Sequence, residues 1–160
     1  MKQVEGWVTQ NRRTRHRSVE TGGLLWGEWD DATRIVWVTE ASGPPPDSYH
    51  SAERFVCGVA GTREEHDARV RYTRRSVSYI GMWHTHPTSR PLPSVTDFAG
   101  MHDILTAGDL PPRKNLLLIF GRCSGHDAVG AFLFRRLKGD MSGALHNLTQ
   151  AQKLLPRNIL

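Results

Sequence analysis

The chain has 160 residues, of which 38% are apolar and 23% charged, with a net charge of +5, as expected for one domain with a buried core. Its longest apolar runs, 116–120 and 128–134, are of strand length and too short to cross a bilayer, and the first residues carry no apolar signal region. Cys57 and Cys123 have no paired spacing, which is typical of reduced thiols rather than of a disulfide framework. We therefore expect a single domain over residues 1–160, located in the cytoplasm, with no membrane partner.

The basic residues fall into groups, and their distribution bears on the choice of partner. There are 21 basic residues and 16 acidic residues, and the resulting positive charge attracts either nucleic acid or an acidic protein. The groups are Arg12, Arg13, Arg15 and Arg17; Arg69, Arg71, Arg74 and Arg75; and Arg135, Arg136 and Lys138. None is interleaved with aromatic residues on which a single-strand binder stacks bases, so we interpret the groups as solvated surface and expect no nucleic acid.

Two strands and a proline-rich loop are predicted in the first third of the chain. Residues 22–29 and 34–39 are rich in β-branched and aromatic residues, and Asp30-Asp31 supplies the turn between them. Residues 41–48 contain three consecutive prolines, which lack N–H donors and fix φ. This segment is therefore predicted to be neither a helix nor a central strand.

The remaining pattern mixes helices and strands without strict alternation. A helix is predicted from about Ser51 to Arg71, although Gly58 and Gly61 weaken or break it. The other predicted elements are a strand over 77–84, a short helix over 95–106, strands over 116–120 and 129–136, a turn at Pro111-Pro112 and a terminal helix over 143–155. The order of these elements predicts an α+β (mixed α/β) fold.

Two histidines and two acidic residues stand where a hydrolytic metal site needs them. His84 and His86 lie two residues apart at the end of a predicted strand, so both side chains project from one face. Asp97 falls in the first turn of the following helix, beyond a proline-stiffened loop over 87–93. Two imidazoles and one carboxylate leave the fourth position of a tetrahedral zinc open for water. A carboxylate that is not a ligand, such as Glu20, can accept a proton from that water.

Each part of this pattern also has a simpler interpretation. A His-x-His on a strand is often a pair of surface histidines. Ser94-Val-Thr-Asp97 matches a capping box, in which the Ser94 oxygen accepts from the amide of Asp97 and the acid complements the helix dipole. Glu20 alone is compatible with a surface carboxylate at the start of a strand. The other histidines have no partners in sequence and are interpreted as surface residues: His16, His50, His66, His102, His126 and His146.

Taken together, Glu20-Thr-Gly-Gly, His84-x-His86-Pro87 and Ser94-x-x-Asp97 closely resemble the signature of the JAMM (MPN) metallopeptidases, over residues 20–134. The segments 43–48 and 79–84 resemble the prokaryotic JAB branch, whose members are found beside E1-like and E2-like enzymes in bacterial antiphage ubiquitin-like conjugation systems. The RadC branch shares the His-x-His-Pro part of the motif. This chain lacks the Asn-His-Pro-Ser-Gly sequence expected of RadC.

The resemblance implies a single JAMM/MPN-like domain with a central twisted, mostly antiparallel sheet flanked by helices. It implies that one Zn²⁺ per chain is bound by His84, His86 and Asp97. Glu20 is then the general base, which later passes its proton to the departing lysine amine. Ser94 is expected to donate a hydrogen bond to the tetrahedral oxyanion.

The implied function is a zinc-dependent isopeptidase or peptidase that cleaves after the C-terminal tail of a ubiquitin-like protein, in deconjugation or precursor processing, as part of antiphage defence. The expected partners are a ubiquitin-like protein or its conjugates, and E1-like and E2-like enzymes of the same operon. Such tails bind as an added strand, and residues 44–49 are a candidate lip of the groove. Two alternatives remain open: a JAMM-fold scaffold without catalysis, and a RadC-like nucleic-acid-associated protein.

Overall fold

The computed structural model describes residues 18–107 and 112–136, Gly6, and the backbone of residues 145–146. Its elements are β1 Gly22–Asp30, β2 Ile35–Ala41, β3 Tyr49–His50, β4 Phe55–Val56, α1 Thr62–Tyr72, β5 Ser78–Thr85, α2 Val95–Thr106, β6 Lys114–Cys123, β7 His126–Arg135 and β8 Leu145–His146. Six strands form one sheet in the order β2-β1-β5-β6-β7-β8, and β3 pairs with β4 in a separate hairpin. Only β5 and β6 pair in parallel among these strands, so the predicted α+β fold with a mostly antiparallel sheet is confirmed.

Most predicted elements are found within a few residues of their predicted bounds. The helix over 95–106 has the bounds predicted, and the proline-rich segment after β2 is irregular. The turn at Pro111 and the group from Arg12 to Arg17 lie outside the described residues. So does the predicted helix over 143–155, except that residues 145–146 pair with β7 as a short strand. A single domain over residues 1–160 stays a prediction.

The helix predicted over residues 51–71 is wrong in its first half. The chain forms the β3–β4 hairpin there, with His50 opposite Phe55, and α1 begins only at Thr62. Gly61 precedes α1 with a φ of 76°, a left-handed conformation that glycine adopts at little cost, so it separates the hairpin loop from the helix. Strands of two residues show no alternation, which is why the sequence pattern missed them. Neither helix described is long and apolar enough to cross a membrane.

The central strand β6 is buried on both faces of the sheet. Leu116 and Leu118 pack on one face with Trp83, whereas Leu117 and Ile119 pack on the other face against α2. Because alternate residues of a strand point to opposite faces, burial on both sides requires a continuous apolar run. The run 116–120 in the sequence is therefore the signature of this central position.

Replacement of Leu117 by alanine is expected to lower the free energy of unfolding by about 2–5 kcal/mol, because its side chain is fully buried beneath α2. The same replacement at Leu92, which is 57% exposed, should change it by less than about 0.5 kcal/mol. Denaturant unfolding of both metal-free variants measures the difference. Equal losses would contradict the central position of β6.

Candidate metal centre

The two histidines of the motif lie at the end of β5, between two neighbouring strands. His84 and His86 are both buried, and their Nε2 atoms are 3.1 Å apart. The amide of His86 donates to the carbonyl of Phe120 at 2.7 Å, which continues the pairing with β6. On the other side, Gly22 of β1 pairs with His84. The prediction that both imidazoles face the same point is confirmed.

The surroundings of the two imidazoles suit them to metal binding. His86 Nδ1 is 3.1 Å from the carbonyl oxygen of Arg90. A carbonyl only accepts, so Nδ1 carries a hydrogen and Nε2, beside His84, is the ring nitrogen that remains to bind a metal. Burial lowers the pKa of His84 from 6.5 to about 4, against the opposing effect of Asp97. Its imidazole is therefore neutral at neutral pH and offers a lone pair without first losing a proton.

Asp97 and Ser94 form the predicted capping box at the start of α2. The Ser94 oxygen accepts from the Asp97 amide at 3.2 Å, and Asp97 Oδ2 accepts from the Ser94 amide at 2.6 Å. The Ser94 hydroxyl also donates to Asp97 Oδ2 at 2.7 Å. The other carboxylate oxygen, Oδ1, is 3.3 Å from His84 Nε2. Oδ2 thus serves the cap and lies 3.8 Å from His86 Nε2, while Oδ1 faces His84, so the capping role and the proposed ligand role are compatible.

Glu20, two residues before β1, lies beside His86. Its side chain is buried, with Oε1 3.9 Å from His86 Nε2. Burial raises the pKa of Glu20 from 4.5 to about 7; His86 lowers it and Asp97 raises it. The interpretation of Glu20 as a surface carboxylate is therefore excluded. A buried carboxylate with a pKa near neutrality has the properties of a general base.

The β3–β4 hairpin holds the backbone of Glu20 in place. The Glu20 amide donates to the carbonyl of Ser51 at 2.8 Å, and His50 Nδ1 donates to the Glu20 carbonyl at 3.0 Å. A Cβ atom on Gly22 would lie 2.4 Å from the ring of Phe55, so glycine is required there for the hairpin to approach β1. Sequence analysis missed this contribution of the hairpin, and it assigned His50 to the surface.

The cleft at the site has a volume of about 220 Å³. The hairpin supplies one wall, from Ala52 to Phe55, and Thr88, Ser89, Ser94 and Thr96 lie among its other lining residues. Residues 44–49, the predicted lip of the groove, are not among the lining residues of this cleft and contact another part of the chain. Asp47 accepts from the amides of Val59 and Ala60, each at 3.0 Å, and so supports the loop before α1.

The candidate ligand atoms of His84, His86 and Asp97 all lie within 4.8 Å of one another, two of the residues buried and the third half-buried. Two neutral imidazoles and one carboxylate fit a divalent metal site with one position left open. Glu20 and Ser94 lie beside this cluster. The structure therefore brings together all five residues that the sequence singled out.

The chain is similar to known proteins over most of its length. A family model described as prokaryotic homologues of the JAB domain matches residues 7–136. A protein of Enterobacter hormaechei named CD-NTase/cGAS isopeptidase is 33% identical over 102 residues, which are 64% of this chain and 55% of that protein. The chain thus matches about half the length of this relative. A protein of Vibrio cholerae with the same name is 33% identical, over 69% of this chain and 67% of its own.

Two further comparisons concern the class of protein and the fold. A probable metalloprotease of Sinorhizobium fredii is 30% identical over 68% of this chain and 66% of its own length. A solution structure of a protein from Desulfitobacterium hafniense covers 84% of this chain and 82% of that chain with a TM-score of 0.52 and 21% identity, which shows the fold alone. The family model covers most of the chain and includes every residue of the candidate site. The chain belongs to the prokaryotic JAB family.

Proposed function

We propose that this protein is a zinc-dependent isopeptidase that cleaves after the C-terminal tail of a ubiquitin-like protein or of a protein conjugated in the same way. The observation that carries the proposal is a cluster of two buried histidines and one half-buried aspartate, with a separate glutamate 3.9 Å from His86. Relatives named isopeptidase and metalloprotease support the reaction class. The likeness to the prokaryotic JAB branch supports antiphage defence, with E1-like and E2-like enzymes as partners.

Zinc is the metal that this donor set fits best. His84, His86 and Asp97 supply two nitrogens and one oxygen, as in catalytic zinc sites that keep an open position. A zinc ion held by these residues would supply Lewis-acid chemistry: it would lower the pKa of a water to about 7 and polarise the carbonyl under attack. The contact of His86 with the Arg90 carbonyl fixes the orientation of that ring before any metal binds.

Glu20 moves the proton in the proposed reaction. Its carboxylate accepts the proton of the attacking water and then gives it to the departing lysine amine. The backbone of Glu20 is bonded to the hairpin through both its amide and its carbonyl, which fixes the point from which its side chain extends towards His86. The hydroxyl of Ser94, which donates to Asp97 in this structure, turns to stabilise the oxyanion that forms at the carbonyl.

Substitution of His86 by alanine is expected to abolish zinc binding, since two protein ligands remain where three are needed. Elemental mass spectrometry should find about one zinc per folded wild-type chain and almost none in His86→Ala. Circular dichroism checks that both chains fold. A folded wild type without zinc after reconstitution would favour the scaffold alternative.

Glu20→Gln should retain zinc and lose hydrolysis of a quenched peptide in which Gly-Gly is attached to a lysine ε-amine. Removal of a general base typically costs about 10²–10⁴ in rate. Glu28→Gln, an exposed position on β1, is the matched control and should keep the wild-type rate. If Glu20→Gln hydrolyses the peptide at the wild-type rate, Glu20 is not the base.

Ser94→Ala should lower turnover of the same peptide by about 10²–10³, as the loss of one oxyanion donor does. Loss of the cap alone would lower the free energy of unfolding by about 1 kcal/mol and would leave turnover unchanged. Ser94→Thr keeps the hydroxyl and should restore most of the rate. Unchanged turnover in the alanine variant would leave Ser94 with the capping role only.

A further inference from the structure

The strand β2 forms one edge of the six-stranded sheet. Among the described strands it pairs with β1 alone, so the outer side of residues 35–38 meets no neighbouring strand in that part of the chain. Three apolar side chains of this segment reach solvent: Ile35 is 43% exposed, Trp37 56% and Val38 38%. The edge therefore offers backbone hydrogen-bonding groups beside apolar side chains, which is the combination that accepts a further strand.

β2 carries neither of the residues that commonly protect an edge strand. Natural edge strands often contain lysine or proline, or are very short, and each of these features discourages pairing with another chain. β2 has seven residues, IVWVTEA, with no lysine and no proline. The irregularity in its pairing with β1 lies opposite Trp26 and Gly27, beyond Val38, so residues 35–38 keep a regular register. This segment is thus suited to pair on its outer side as well.

The sequence around β2 is complementary to a second copy of itself. When a strand pairs with its own copy about a two-fold axis, the two strands run antiparallel, and residues equally distant from the axis face each other. With the axis at Trp37, Val36 faces Val38 of the second copy, and Ile35 faces Thr39. All four of these residues are β-branched, and such side chains pack well across neighbouring strands.

The charged residues at the two ends of the same segment also match. Arg34 precedes β2 and is exposed, and with the axis at Trp37 it faces Glu40 of the second copy. Glu40 accepts from Arg69 Nε through Oε2 at 3.0 Å, but its side chain is still 38% exposed and can meet a second cation. The two-fold axis makes this match twice, whereas a shift of the axis by one residue in either direction separates the opposite charges.

The match of side chains and charges favours a second copy of this chain over an unrelated strand. Any extended segment can supply the backbone hydrogen bonds, but a strand from another protein has no reason to reproduce this symmetry. No residue of β2 lines the metal cleft, so pairing through β2 is compatible with a complete site in each copy.

We propose that two copies of this protein associate by antiparallel pairing of their β2 strands about a two-fold axis at Trp37, which joins their six-stranded sheets into one continuous sheet. An interface made mainly by one strand is smaller than the roughly 20–30 residues a side of a stable complex, so the dimer is reversible and its population depends on concentration.

The test measures the oligomeric state of the 160-residue chain by sedimentation equilibrium over a concentration series. A reducing agent is present because Cys123 is exposed and could link two chains by a disulfide. We expect the mass to rise from one chain towards two. Trp37→Lys should raise the dissociation constant at least about tenfold, because each copy loses an apolar contact and the two introduced charges repel. Val59→Lys, at a 76% exposed position outside the sheet, is the matched control and should leave the constant unchanged.

A pair of charge-reversed variants tests the register. Arg34→Glu places two acidic groups across from each other at both ends of the interface, and Glu40→Arg places two basic groups there, so each variant alone should dimerise more weakly than the wild type. An equimolar mixture of the two variants brings opposite charges together again at both ends and should recover association. Circular dichroism checks that every variant folds, which matters for Glu40→Arg because it loses the contact with Arg69.

Three results would overturn the proposal. The first is a wild type that stays monomeric at every concentration of the series. The second is a dimer that Trp37→Lys leaves intact, since such a dimer uses another surface. The third is a mixture of the folded Arg34→Glu and Glu40→Arg chains that associates no better than either variant alone, which would exclude pairing about Trp37.

Discussion

The candidate site depends on the pairing of two threonines that are far apart in sequence. The amide of Thr21 donates to Thr85 Oγ1 at 3.0 Å, and the amide of Thr85 donates to the carbonyl of Thr21 at 2.8 Å. Both residues are buried, so neither bond competes with water. Glu20 precedes Thr21, and His86 follows Thr85. These two bonds therefore place the proposed base beside the proposed ligand, and a slip of one residue would turn the side chains to the opposite face.

The groups around the metal cluster are held by bonds that do not involve a metal. Asp97 is fixed by the capping box, His86 by the Arg90 carbonyl, and Glu20 by the hairpin. Such support keeps ligands near their working geometry, so little ordering is left for the ion to impose. It also keeps two carboxylates close together in a buried place. The pKa of Glu20 is raised mainly because its carboxylate is buried. A divalent cation at this place would balance the negative charges of Glu20 and Asp97.

Features of the site that join residues close together in the chain can be predicted from sequence, whereas contacts between distant residues cannot. The spacing of His84 and His86 on a strand and the Ser94-x-x-Asp97 cap each involve neighbours in the chain, and periodicity rules describe them well. Glu20 joins them across a sheet, so only the resemblance to a known family connected it to the site. The β3–β4 hairpin was missed for another reason: its strands are too short to alternate, and its position depends on a close approach to Gly22.

The two helices cover the sheet face that carries the site unequally. Beneath α2 the face is filled by apolar side chains, whereas beneath α1 it meets Thr62, His66 and Arg69. α1 has no buried residue, whereas α2 buries Met101 and Leu105. The core on this face therefore depends mainly on α2, which also carries Asp97 in its first turn. The packing that stabilises this half of the molecule is thus the packing that holds the proposed ligand in position.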